Sequence, residues 1–125
     1  MKKFLLLILI GFVSMSFAQN GSGEIVNALK QGNAEQFSRY FDNLLDIKLP
    51  EKDEIKNVGK NQAAITIKNF FDDNKIRGFD VSSQRELSGT MYMTGKLQGG
   101  TKSFNLTLMM KNRGDKLSVI TIRIN

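Results

Sequence analysis

The 125-residue chain contains no cysteine, no histidine and no tryptophan, and it has a single proline. Without cysteine there is no disulfide framework and no site for the lipid attachment of a bacterial lipoprotein, so the fold must hold by packing alone. Without histidine the chain lacks the commonest general base, the usual partner of a nucleophile and the usual transition-metal ligand. Strong charge of one sign is also missing: 18 basic residues face 12 acidic ones, a formal charge of +6. Beyond Lys2, Lys3 and Lys30, the lysines are scattered from Lys48 to Lys116 rather than bunched with aromatics, which argues against a nucleic-acid surface.

Only one long apolar run occurs, Phe4 to Val13, interrupted by Gly11. It is about half the ~20 residues needed to span a bilayer. Lys2 and Lys3 precede it and Ser16-Phe17-Ala18 follows it, the order of a cleaved export signal covering residues 1–18. The expected mature start is Gln19, the expected compartment periplasmic or secreted, and no transmembrane segment remains in the mature form. Removing 18 of the 125 residues leaves 107, enough for one domain, and lowers the formal charge from +6 to +4.

Residues 19–23 read as a flexible lead-in, with Ser22 as a cap, to a single domain over 24–125. Ile25, Ala28 and Leu29 repeat at helical spacing in a first helix from Glu24 to Gln31, which Gly32 ends. Asn33 with Gln36 forms a capping-box pattern. A second helix then carries Phe37, Tyr40, Phe41, Leu44 and Leu45 on one face. The period changes to two at Leu45, Ile47 and Leu49, a short strand closed by Pro50. A charged turn over 51–54 and a short strand at Ile55 to Val58 lead into a third helix, Lys60 to Asp73, with Ala63, Ala64, Ile67, Phe70 and Phe71 on one side.

The remainder reads as an antiparallel meander: Phe79 to Leu87, Thr90 to Gln98, Thr101 to Lys111 and Leu117 to Ile124. With Gly99-Gly100 as a two-residue turn, Met91 faces Leu108, Met93 faces Leu106 and Gly95 faces Phe104. One face is then apolar and the other carries Tyr92, Thr94, Lys96, Ser103, Asn105 and Thr107. In the last strand the alternation breaks between Val119 and Ile120, which predicts a bulge that curls the sheet.

The segments Ala28-Leu29-Lys30-Gln31-Gly32-Asn33-Ala34, Tyr40-Phe41-Asp42, Asn61-Gln62-Ala63-Ala64 with Phe70-Phe71, and Gly114-Asp115-Lys116 together resemble the NTF2-like (nuclear transport factor 2-like) superfamily. More narrowly, the chain is similar to the DUF4783 domain family of small exported Bacteroidetes proteins, whose function is unassigned. The resemblance implies an α+β, NTF2-like (cystatin-like) cone, with three helices from the N-terminal half packed on a strongly curved antiparallel sheet. Leu117 stands where many such chains carry tryptophan. A cystatin-type inhibitor shares the outline, but its Gln-Val-Val-Ala-Gly hairpin loop is missing.

NTF2-like enzymes place a base inside the cup with tyrosine or acid donors opposite, which here leaves Asp42, Asp46, Tyr40 and Tyr92 to consider. By spacing, both aspartates fall on polar faces. No catalytic residue, cofactor or metal is therefore assigned. Asp72-Asp73 and the acids of 51–54 read as a solvated helix end and a charged turn, and Arg113-Gly114-Asp115 as the residues a hairpin turn requires. The methionines are the one hint of a ligand, since they adapt to irregular apolar shapes. The expected ligand-binding residues are Tyr40, Phe41, Met91, Met93, Leu106 and Met110. The expected function is that of an exported non-catalytic module holding a small apolar ligand or a protein partner, with a homodimer through the sheet as one arrangement. The alternative is an isomerase- or hydratase-like enzyme using a carboxylate and a tyrosine in the cup.

Overall fold

A computed structural model describes residues 21–125. The expected leader, 1–18, and the first residues of the lead-in lie outside the described residues. In chain order the elements are α1 (Ser22–Lys30), α2 (Ala34–Ser38), β1 (Phe41–Lys48), β2 (Ile55–Gly59), α3 (Lys60–Asn74), β3 (Gly78–Leu87), β4 (Thr90–Gln98), β5 (Ser103–Arg113) and β6 (Lys116–Ile124). The strands form one open, curved sheet in the order β2-β1-β6-β5-β4-β3, with the three helices packed on it. Neighbouring strands run antiparallel except β1 and β6, which are parallel.

The Gly-Asn corner between α1 and α2 forms as its sequence dictates. Gly32 takes φ 65°, and a β-carbon there would collide with the carbonyl oxygen of Ile76. Asn33 Oδ1 then accepts the Gln36 N–H at 3.0 Å, capping α2. At the start of α1 the N-cap is Gly21 rather than Ser22, and Ser22 is the first helical residue. Ile25, Ala28 and Leu29 are fully buried, the stripe their spacing implied.

The second helix is much shorter than expected. It ends at Ser38, and Phe41 to Lys48 is strand. Positions 37, 41 and 45 are four apart, so they satisfy a helical stripe and a strand face equally well. What decides is pairing on both sides of β1, with β2 and with the distant β6, and no local pattern reports it. Phe41 and Leu45 stay in the core, whereas Leu44, assigned to the same face by helical spacing, points outward at 54% exposure.

The β4–β5 turn also differs from expectation. Its loop runs from Gly99 to Lys102, closed by the Gly99 N–H donating to the Lys102 carbonyl at 2.7 Å, and Gln98 pairs with Ser103. The Gly100 N–H donates to the Asn74 carbonyl at 3.0 Å and ties the hairpin tip to the end of α3. Consequently Met91 faces Met110, Met93 faces Leu108 and Gly95 faces Leu106. A slip of two residues changes partners but keeps side-chain parity, so the apolar face is the one the alternation indicated.

The bulge in β6 is present. Met109 pairs with Thr121 and Met110 with Val119, leaving Ile120 as the extra residue. Leu117, Val119, Ile122 and Ile124 thereby all reach the core. Aromatic packing joins helices to sheet: Phe37 meets Phe41 edge-on at 5.0 Å and lies parallel to Phe71 at 6.2 Å, while Phe70 meets Phe104 at 5.2 Å.

Candidate functional site

Five of the six expected ligand residues lie on one side of the sheet, spread over three lateral rows, and Tyr40 immediately precedes β1. In register, Phe41, Val119, Met110 and Met91 form a lateral row across β1, β6, β5 and β4. Met93 lies in the next row with Leu108 and Ile122, and Leu106 one row further on with Ile124. Phe41, Met93, Leu106 and Met110 are buried in the common hydrophobic core, at 3% exposure or less. Tyr40 and Met91 are half-buried against it. Four of the six are therefore members of the hydrophobic core, and the other two pack against it.

The aspartates considered as bases are engaged elsewhere. Arg113 Nη2 donates to Asp42 Oδ2 at 2.9 Å, and Asp46 Oδ1 accepts the backbone N–H of Asn57 at 3.0 Å. Tyr40 instead lies within the electrostatic reach of Glu24, in the first turn of α1. Burial, followed by the Glu24 charge and its hydrogen bond, holds the Tyr40 phenol above its ordinary pKa. Sequence reading did not single out Glu24, because sixteen residues separate the pair and only the turn back from α2 into β1 joins them. Among the described residues, no three acidic side chains converge as a metal site would require.

Two open grooves flank α3. The first, about 620 Å³, lies where α3 begins, and Tyr40 and Phe41 form part of its wall. It exists because β1 leaves its ladder there. Between the pairs Phe41–Val119 and Asp46–Thr121, five steps along β1 match only two along β6, so residues 42–44 swing out beside the β5–β6 hairpin. Arg39, Lys60, Arg113 and Lys116 bring four positive charges to this groove against one carboxylate, Asp42. The second groove, about 540 Å³, lies where α3 ends, and Leu49, Phe70 and Phe104 contribute its apolar part. Its charges balance: Lys52 and Lys102 against Glu51 and Asp73. Neither groove was legible as a site in the sequence, since each gathers residues from segments far apart along the chain.

Three helices over a curved, unclosed sheet, with the last strand returning beside the first, define the NTF2-like, or cystatin-like, class. Within it, the profile of the family described as "Domain of unknown function (DUF4783)" matches residues 22–125, and the chain belongs to that family. A DUF4783 protein from Bacteroides ovatus superposes with a TM-score of 0.78 at 24% identity, over 85% of this chain and 94% of that one. An NTF2-like protein of unknown function from Cytophaga hutchinsonii gives 0.56 at 10% identity, over 82% of each chain. A cystatin-fold protein from Novosphingobium aromaticivorans gives 0.60 at 12% identity, over 83% and 93%. At these identities the likenesses concern the fold. No functionally curated protein matches the sequence.

Proposed function

We propose that this chain is an exported, non-catalytic module that works by binding, and that a small ligand, polar rather than the apolar one expected from the methionines, or a protein partner meets it at the groove beside Tyr40 and Phe41. The observation that carries this reading is the contrast between buried methionines and an open groove. Met93 and Met110 are fully buried, while the groove opens at the α3 start with a wall built partly from two of the expected ligand residues. Export rests on the charged start, apolar middle and Ser-x-Ala end of residues 1–18. No helix among the described residues is long and apolar enough to cross a membrane. Native mass spectrometry of the protein recovered from its exporting cell tests the binding reading. The expected spectrum carries a bound mass or a co-purifying subunit, whereas a bare monomer at every concentration argues against it.

An isomerase- or hydratase-like enzyme is the second reading, favoured by one contact, that of Tyr40 with Glu24. Proton transfer by such a pair needs a substrate within hydrogen-bond reach of both groups. Glu24 is exposed on α1 while Tyr40 is half-buried against the core, so only the tyrosine of the pair is sheltered from water. Turnover abolished by both Tyr40→Phe and Glu24→Gln would establish this alternative.

A further inference from the structure

We propose that the groove at the start of α3 is selective for a small multivalent oxyanion, held by Arg39, Lys60 and Lys116. This deepens the binding reading above and rests on it. Charge carries the argument. Arg113 is occupied by Asp42 at 2.9 Å, and among the described residues Arg39, Lys60 and Lys116 have no ion-pair partner. The groove thus keeps a net of three positive charges on a concave surface, while the groove of similar size at the other end of α3 is neutral. A cleft lined by one sign of charge focuses its field and raises the local concentration of the opposite charge. Holding the cations together also costs self-repulsion, which an anion relieves.

Geometry limits what fits. The three free cations come from the α2–β1 junction, the first residue of α3 and the first residue of β6, so they are mounted on three separate elements rather than one loop. Asn43 and Ser118 add neutral hydrogen-bonding groups to the wall. A volume of about 620 Å³ suits a molecule of metabolite size with two or more anionic groups. Phosphoryl and carboxylate groups share the necessary chemistry, and the test separates them.

The experiment is an amide NMR titration of the chain beginning at Gln19, with pyrophosphate, citrate and uncharged trehalose as probes. Saturable shifts at Asn43, Leu117 and Ser118 are expected with one or both anions and not with trehalose, weakening as salt rises. The anion with the lower Kd identifies the preferred group. Lys60→Gln and Lys116→Gln, both at exposed positions, should each weaken binding roughly three- to tenfold, and Asp42→Asn should tighten it. Unchanged anion binding in the Lys60→Gln, Lys116→Gln double variant overturns the inference. So do groove shifts with trehalose matching those with the anions, which would leave the groove itself standing as a binding site. Binding of a polyglutamate peptide but of neither small anion also overturns it, in favour of a protein partner. A bound mass in the native spectrum combined with silent groove amides refutes the anion while preserving the binding module.

Discussion

The ring of Phe79 on β3 occupies the space that a side chain on Gly95 of β4 would need. A β-carbon at Gly95 would lie 2.6 Å from Cε1 and Cζ of that ring and would also collide with the Asp80 carbonyl oxygen. Real β-carbons do not come this close, and one of the two obstacles is backbone, which cannot move aside as a side-chain end can. Phe79 is 3% exposed and packs where β3 begins, so Gly95 is what lets that aromatic ring fold down over the sheet.

Gly95→Ala should therefore destabilise the protein by about 1–3 kcal/mol, the range for inserting a methyl group into a packed core. Urea unfolding of the variant beside wild type measures it. An unchanged midpoint would mean that the two strands separate without cost.

Phe41→Ala should cost about 3–5 kcal/mol, since it removes a ring that meets Phe37 edge-on and lies 3% exposed between α2 and β6. That is a large share of the stability of a domain of this size. Leu44→Ala, three residues away but 54% exposed, should change stability by less than about 0.5 kcal/mol. The pair of variants distinguishes strand from helix at β1: a helical face would make both substitutions costly.

Tyr40 should titrate above the ordinary tyrosine value. Its neutral phenol is favoured in the folded state by burial first and by Glu24 second. A raised folded pKa means that the associated stability is fully present below the unfolded value of about 10 and is lost as pH rises through the higher folded value. Ultraviolet titration in a Tyr92→Phe background isolates the group. Glu24→Gln should lower its midpoint without returning it fully to the ordinary value, because the larger cause, burial, remains. A midpoint unmoved by Glu24→Gln would show that the two side chains do not interact in solution.

Export should remove residues 1–18, and N-terminal sequencing of the protein recovered outside the cytoplasm should begin at Gln19. Recovery with Met1 in place would refute both the leader and the compartment inferred from it.

Much of this architecture was legible along the chain because its causes are local. Gly32 and Asn33 announce a helix stop and a helix cap through bonds that span no more than five residues. The α3 stripe of Ala63, Ile67 and Phe71 and the alternation of Met91 and Met93 against Tyr92 and Thr94 likewise follow from periods of 3.6 and 2. Even the β6 bulge could be read, since a break in alternation at Ile120 is itself a local signal.

The sequence by itself determined these periods, the corner, the apolar face of the sheet and the absence of disulfide and histidine chemistry, all properties of neighbouring residues. Only the tertiary structure decided that Phe41 and Leu45 belong to a strand, because four-residue spacing fits either element and the choice rests on pairing with Val58 and Val119, thirteen and seventy-eight residues away. It alone set the β4–β5 register, because the Gly100 N–H reaches back to the carbonyl of Asn74. And it alone gathered Arg39, Lys60, Arg113 and Lys116 around one groove. In sequence these are isolated surface charges, and their convergence depends on how β1 leaves its ladder beside the returning β6, a long-range geometry that no local pattern encodes.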